Sequence, residues 1–422
     1  MKKAARKFIC VLILLALLTG CTGCRSAVRF AADFIDGAKS AVFATSSPSA
    51  SDSPKASASG EDDAKNRVKF YNDGEEPVYL SKTKIGNYQS PYSAYMSDYY
   101  KQQLSQEELL AYNALLYAME HHFTHIVLRA DTYSFDFYRA RDALALDSPF
   151  LEQNYRSGEG CTAVGLAMCY TMEDFTEESW TRKMLALAKA EKIVAAMPAE
   201  ADTDMERMEY LYDYVRKNVQ YRAYGDSSEA DYLYDALCGG VTICDGYSNA
   251  LALLFQTAGI ACCETMGCES EDEDADGHTW VVASIDGTFY NFDATSDTEE
   301  DDGYGDYRCY FGVSDEVMDM DVWDQGELRP VCNDKSRDLL MTDGRFRDML
   351  SYETEREAAW LCNNRAEAGK MSTLLGFAGD YTEENVESFI DVYIDLLEYG
   401  ESIEYVSMYN TGRTLVLITI KE

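Results

Sequence analysis

Residues 278–295 read HTWVVASIDGTFYNFDAT. Two alternating runs flank Asp286-Gly287, a dipeptide that closes two-residue β-hairpins. Such a loop sets Ile285 against Thr288, and the same register carries Asp293 opposite Trp280. His278 lies two positions beyond Trp280. Side chains alternate with period two, so His278 and Asp293 share one face of the hairpin as diagonal neighbours. A slip of one residue would put them on opposite faces. Two polar residues on a strand face can simply be solvated. Trp280 and Phe289 fall on the same face, which argues that it is at least partly covered.

Upstream, residues 238–255 read CGGVTICDGYSNALALLF. If a helix begins near Cys244, its unpaired N–H groups and dipole favour an anion there. That makes a thiol more acidic, and the thiolate is the reactive form. On this stretch alone, the reading of Cys244 as a small buried hydrophobe at the head of an apolar helix is slightly favoured. A thiol, an imidazole and a carboxylate together form a coherent set for acyl transfer. The imidazole takes the thiol proton and the carboxylate orients the ring. The Cys244 N–H is a candidate oxyanion donor.

The chain has 422 residues, 46% of them hydrophobic, enough for a sizeable core and two or three domains. Its formal net charge of −37 argues against nucleic acid and against electrostatic docking on anionic lipid. Residues 1–20, MKKAARKFICVLILLALLTG, join a basic start to a short apolar run from Phe8 to Leu18. This is a secretory signal, too short for a spanning helix. It ends Leu18-Thr19-Gly20-Cys21, which resembles the bacterial lipobox. That resemblance implies lipid attachment at Cys21 and an anchor on the extracytoplasmic face of the cell membrane. Residues 21–65, rich in Ala, Ser and Asp, read as a low-complexity tether.

Residues 66–175 read as a small α/β region. It has strands at KFYND, EPVYL, THIVLRA and CTAVGLAMCY, and helices at Ser105–His121 and Phe137–Leu146. Residues 176–325 form the central domain, opening with helices at Glu177–Met197 and Asp204–Val219. Residues 340–422 form a C-terminal α/β region. Its helices are Thr354–Ala368 and Thr382–Tyr399, and its strands are MSTLLGFAG, SIEYVSMYN and TLVLITIKE. The last two are joined through Thr411-Gly412-Arg413, a hairpin signal. The order helix–strand–helix–strand echoes the region around 105–170. A diverged duplication would account for it, although no residue-level repeat is visible.

The motifs in the central block are NVQY at 218–221, Cys-x-Gly-Tyr-Ser at 244–248 and Ala258-Gly259-Ile260. Gly277-His278-x-Trp280, the Asp286-Gly287 turn and Phe292-Asp293-Ala294-Thr295 follow. In this order the block from about 205 to 321 resembles the transglutaminase-like superfamily of the papain-like fold. Tyr310-Phe311-Gly312-Val313-Ser314 also fits bacterial surface members. The resemblance implies an α+β fold, with a Cys-bearing helix packed on an antiparallel sheet that carries His and Asp. Small mixed α/β regions would flank it. It also implies Cys244 as nucleophile, His278 as general base and acid, and Asp293 as the orienting carboxylate. The reaction would open an amide bond of a protein or peptide, cell wall included, through a thioester resolved by water or an amine. No cofactor or metal is implied. Val281 stands where the family often has Asn, and Asp293-Ala294-Thr295-Ser296 where it often has Asp-Pro-Thr-Trp. Both departures bear on substrate binding and leave the three reacting groups intact.

Other features carry less. Asp272–Gly277 matches the start of a calcium loop, but its twelfth position would be Ala283 rather than the required Glu. It reads as a solvated acidic loop, and so does Asp297–Asp306. His121, His122 and His125 sit in EHHFTH at a helix end, where a capping role is favoured over a metal site. Thirteen cysteines occur, and no spacing dictates disulfides or zinc. Tyr247 and Trp280 read as packing residues. Two rivals stay open: a non-catalytic surface module on the same fold, and a peptidoglycan endopeptidase with Cys before His.

Overall fold

The structure, a computed structural model, describes residues 66–129, 137–150, 160–164, 167–171, 177–222, 231–268, 277–298, 307–318, 321–322, 329–394, 396 and 402–421. The expected signal segment, Cys21, the tether and the calcium-like run at 272–276 lie outside the described residues. So does most of the acidic run after Asp297.

The first sheet contains β1 (Arg67–Tyr71), β2 (Val78–Ser81), β3 (His125–Arg129), β4 (Gly160–Val164) and β5 (Ala167–Thr171). Its order is β2-β1-β3-β5-β4, antiparallel throughout. Helix α1 (Gln106–Glu120) precedes β3, and α2 (Phe137–Asp147) follows it. The start of α1 is set by a capping box. Glu108 N donates to Ser105 Oγ at 3.3 Å, and Ser105 N to Glu108 Oε2 at 2.8 Å. The single strand expected at CTAVGLAMCY is in fact the hairpin β4–β5, with Val164 paired to Ala167. An unbroken apolar run does not reveal where it reverses, and Gly165 is the only turn signal within it.

The central part opens with α3 (Glu177–Ala195) and α4 (Asp204–Asn218). A two-residue parallel pair, β6 (Gln220–Tyr221) and β7 (Val241–Thr242), then leads into α5 (Cys244–Thr257). The second sheet follows, with β8 (Cys262–Cys268), β9 (His278–Ile285), β10 (Thr288–Phe292), β11 (Phe311–Val313) and β12 (Asp321–Val322). Its order is β11-β10-β9-β8-β12, again antiparallel. Helix α5 is apolar around most of its surface because it is enclosed: α3 and α4 cover it on one side, and β8 and β9 on the other.

The third sheet contains β13 (Gly344–Phe346), β14 (Ser372–Ala378), β15 (Ser402–Asn410) and β16 (Arg413–Lys421). The order is β13-β14-β16-β15, with only β13–β14 parallel. Helices α6 (Tyr352–Glu367) and α7 (Glu383–Ile394) belong to this unit. Buried side chains from Val68 to Cys332 form one continuous core under the first two sheets, whereas those from Phe346 to Ile418 form a separate one. The fold is α+β, built from helices and mainly antiparallel sheets.

Candidate active site

The hairpin register is the one the sequence predicts. Ile285 pairs with Thr288 and Val281 with Phe292, so Asp293 leaves β10 level with Trp280. Asp286 (φ 52°) and Gly287 (φ 84°) both adopt left-handed conformations, the geometry of a type I′ turn. His278 Nε2 donates to Asp293 Oδ2 at 2.7 Å. The ring also hydrogen-bonds Cys244, and with Nε2 committed to Asp293 that bond falls to Nδ1. The His278 ring stacks on Trp280 with centroids 6.0 Å apart and planes 19° from parallel.

Cys244 opens α5 and is 1% exposed. The preceding residue, Ile243, is extended and gives the helix no side-chain cap. Gly246 is required two residues later, since a Cβ there would stand 2.0 Å from Thr242 Oγ1. That close approach seats β7 against the turn that presents the thiol. The Tyr247 hydroxyl donates to Val219 O at 2.6 Å, fixing the same turn to the end of α4.

Electrostatics favour a charged His278–Asp293 pair. Burial opposes the imidazolium, but Asp293, with a contribution from Cys244, raises His278 well above the ordinary histidine range. Burial likewise opposes the Asp293 carboxylate, but His278 and Ser296 hold it below the usual value. The carboxylate is fully engaged. Its Oδ1 accepts from Thr295 N (3.0 Å) and Ser296 N (3.2 Å), and its Oδ2 from Ser296 Oγ (2.7 Å).

A second layer holds that loop. Tyr212 Oη of α4 lies 2.7 Å from Asp293 O and 2.5 Å from Asp297 Oδ2. Asp297 Oδ1 accepts from Cys309 N at 2.8 Å. Asp297 was expected in a solvated acidic loop; it is instead buried, and burial pushes its carboxyl group up to about 6. An acidic run looks uniform in sequence, and only the fold selects the member that turns inward. Ser296, Tyr212 and Asp297 were not singled out as site residues from sequence. The one available signal was Ser296, two residues into the departure from Asp-Pro-Thr-Trp.

The remaining expected features are structural. Trp280 Nε1 donates to Asn291 Oδ1 at 2.9 Å, and Val281 is buried mid-sheet. His121 ends α1 with its Nδ1 2.9 Å from Tyr117 O, and His125 begins β3. Among the described residues, seven cysteines form no disulfide, and no group of His, Cys, Asp or Glu is arranged to hold a metal. A cavity of about 510 Å³ lies along α4, lined by Glu209, Asp213 and Arg308, and shares no residue with the Cys244 site.

Residues 191–294 match the model of the Transglutaminase-like superfamily, and this segment, a transglutaminase-like domain, contains Cys244, His278 and Asp293. No curated protein matches the sequence. Among solved structures, the chain is similar to a candidate cysteine protease from Cytophaga hutchinsonii. The identity is 16%, over 31% of this chain and 51% of that one, with a TM-score of 0.23. It is similar to a TGase at 13% identity, over 40% and 50% of the two chains, with a TM-score of 0.23. The periplasmic domain of TgpA from Pseudomonas aeruginosa gives 17%, 32% and 56%, with a TM-score of 0.23. The chain therefore spans about half the length of these proteins.

Proposed function

We propose that the protein is a transglutaminase-like thiol enzyme that opens amide bonds of proteins or peptides. The observation that carries this reading is the ordered run Cys244–His278–Asp293 at the head of α5, with the two ring nitrogens of His278 divided between the other two groups. The Cys244 Sγ attacks the amide carbonyl carbon while His278 holds the thiol proton. The C=O electron pair moves to oxygen, towards the N–H groups of the first turn of α5. The C–N bond then breaks, and His278 passes its proton to the departing amine. The product is a thioester on Cys244. Water resolves it to an acid, or a second amine to a new amide, and either step regenerates the thiol. Asp293 keeps Nδ1 directed at sulfur and stabilises the imidazolium throughout.

In this reading the chain is exported, lipidated at Cys21 and held on the extracytoplasmic face of the membrane by that anchor. The acidic tally of the sequence fits a solvated surface protein with no nucleic-acid partner. The test incubates the folded protein with a labelled primary amine and peptide substrates, and measures both amine incorporation and cleavage. Cys244→Ala should abolish both. Asp293→Asn should slow acylation by roughly 10³–10⁴-fold. A Cys244 that is alkylated no faster than the other free thiols at neutral pH would overturn the reading and leave a non-catalytic module.

A further inference from the structure

Glu264, in the middle of β8, is buried. Among the described residues no lysine, arginine or histidine pairs with it. Its carboxyl group takes Asn249 Nδ2 at 2.9 Å and the Ser248 hydroxyl, both from the second turn of α5. Ser248 Oγ lies 3.0 Å from Oγ1 of Thr279, the residue after His278. Thr279 Oγ1 in turn lies 3.4 Å from Oδ1 of Asp245, the residue after Cys244. One run of polar side chains thus ties β8, β9 and α5 together, a single residue away from each member of the reacting pair.

We propose that Glu264 is a positioning residue for Cys244 and His278, closing this junction as a neutral acid and loosening it when ionised. The proposal rests on the reading of Cys244 and His278 as the reacting pair. A buried carboxylate without a cation is costly. Burial raises Glu264 to about 8 against the pull of its Asn249 and Ser248 hydrogen bonds, with a smaller push from Asp245. It is therefore mainly protonated at neutral pH and ionises just above it. Asp245 faces it from α5, and Cys262 lies on its own strand. Tyr100 donates its hydroxyl to Glu264 O at 2.9 Å. Asp147, at the end of α2, is held by the Tyr100 and Lys101 N–H groups. Across β9 its partner is Val281, and β12 meets β8 only at Gly267 and Cys268. Ionisation of Glu264 places a negative charge beside Asp245, and among the described residues no cation pairs with Glu264 to offset it.

The test labels the four histidines of the folded chain with ¹⁵N and follows the His278 ring from about pH 6 to 9.5. In the wild type an inflection near pH 8 is expected, absent from Glu264→Gln. Thr279→Val leaves Glu264 in place but cuts the run to Asp245, and should also lose the inflection. It carries the test if the Gln variant does not fold. In parallel, the ratio of Cys244 alkylation rates, wild type over Glu264→Gln, should fall by up to about tenfold between pH 7 and 9, following the protonated fraction. A wild-type His278 without that inflection, or variants that keep it, overturns the proposal. A Cys244 that is unreactive at every pH defeats the thiol-enzyme reading instead, and the His278 titration still decides whether Glu264 governs the junction.

Discussion

The N-terminal and C-terminal units share a plan. Each runs helix, strand, helix, strand, strand: α1-β3-α2-β4-β5 and α6-β14-α7-β15-β16. In each, the last strand lies between the other two, β3-β5-β4 and β14-β16-β15, all antiparallel. The spacing agrees as well: the first helices begin at 106 and 352, and the last strands at 167 and 413, the same interval of 246 residues. The repeat is thus visible in topology where it is not visible in residues. What differs is attachment. The first unit shares its core with α5 and the second sheet, and is tied to them by Tyr100 Oη to Glu264 O (2.9 Å) and Gln256 Nε2 to Asp147 O (3.2 Å). The second has a core of its own on one face of its sheet. Its other face meets the central part through a small buried cluster, in which Leu374, Leu415 and Leu417 pack with Cys309, and at one hairpin end. There Arg413 donates to Cys309 O (2.6 Å) and Asp338 O (2.7 Å), and Asn410 to the Tyr310 hydroxyl (3.0 Å). One plan can therefore serve either as part of the central core or as a unit with a core of its own, depending on which side chains it buries.

The largest expected effect tests that contrast directly. Deleting residues 66–175 should abolish cooperative folding of the central part, read by circular dichroism and thermal unfolding. Deleting 340–422 should leave a folded transglutaminase-like domain. A folded product of the first deletion would break the comparison. Next come the aromatics of the two leading helices. Tyr112 of α1 is fully buried, and Tyr112→Ala should cost about 3–5 kcal/mol in denaturant unfolding. Trp360 of α6 is 66% exposed, and Trp360→Ala should stay within about 0.5 kcal/mol. A large loss at Trp360 would mean that its face is covered in solution.

The Asp147 junction should also respond to pH. Burial pushes Asp147 up to about 6 against the pull of the Tyr100 and Lys101 N–H groups. Its folded value lies above its unfolded one. Its contribution is therefore fully present below about pH 4 and lost as pH rises through 6, a change of roughly 2–3 kcal/mol. Asp147→Asn should flatten that slope in unfolding measured from pH 4 to 7. An unchanged slope would place the pH response elsewhere. Smaller than the Asp147 response is that of Asn410→Ala, which removes one hydrogen bond to Tyr310 and should cost about 1 kcal/mol. Hydrogen exchange should then quicken in β15 and β16 while protection in α5 stays unchanged. Loss of protection in α5 would show that the C-terminal unit is not merely appended.

Much of the site was legible because its parts are local. The Asp286-Gly287 turn and the alternation on either side fix the register of β9 and β10, and through it the His278–Asp293 neighbourhood. Cys244 was legible as the start of an apolar helix. Its tie to His278 needed the resemblance, because nothing near residue 244 reports on residue 278. The β4–β5 reversal was missed because an apolar strand looks the same before and after a turn.

By itself, the sequence determined the register of the β9–β10 hairpin, the helix that begins at Cys244 and the order of elements in the C-terminal unit. Each follows from spacing and turn chemistry within a few residues. Only the tertiary structure decided which His278 nitrogen meets Asp293, that Tyr212 and Asp297 hold the Asp293 loop, and that Glu264 is buried between Asn249 and Tyr100. It also decided that the first flanking unit merges with the central core, while the other keeps a core of its own and shares only a small cluster around Cys309. These outcomes depend on burial and on partners far apart in the chain, such as Tyr100 with Glu264. A side chain's surroundings, unlike its period, are set only when distant segments pack together.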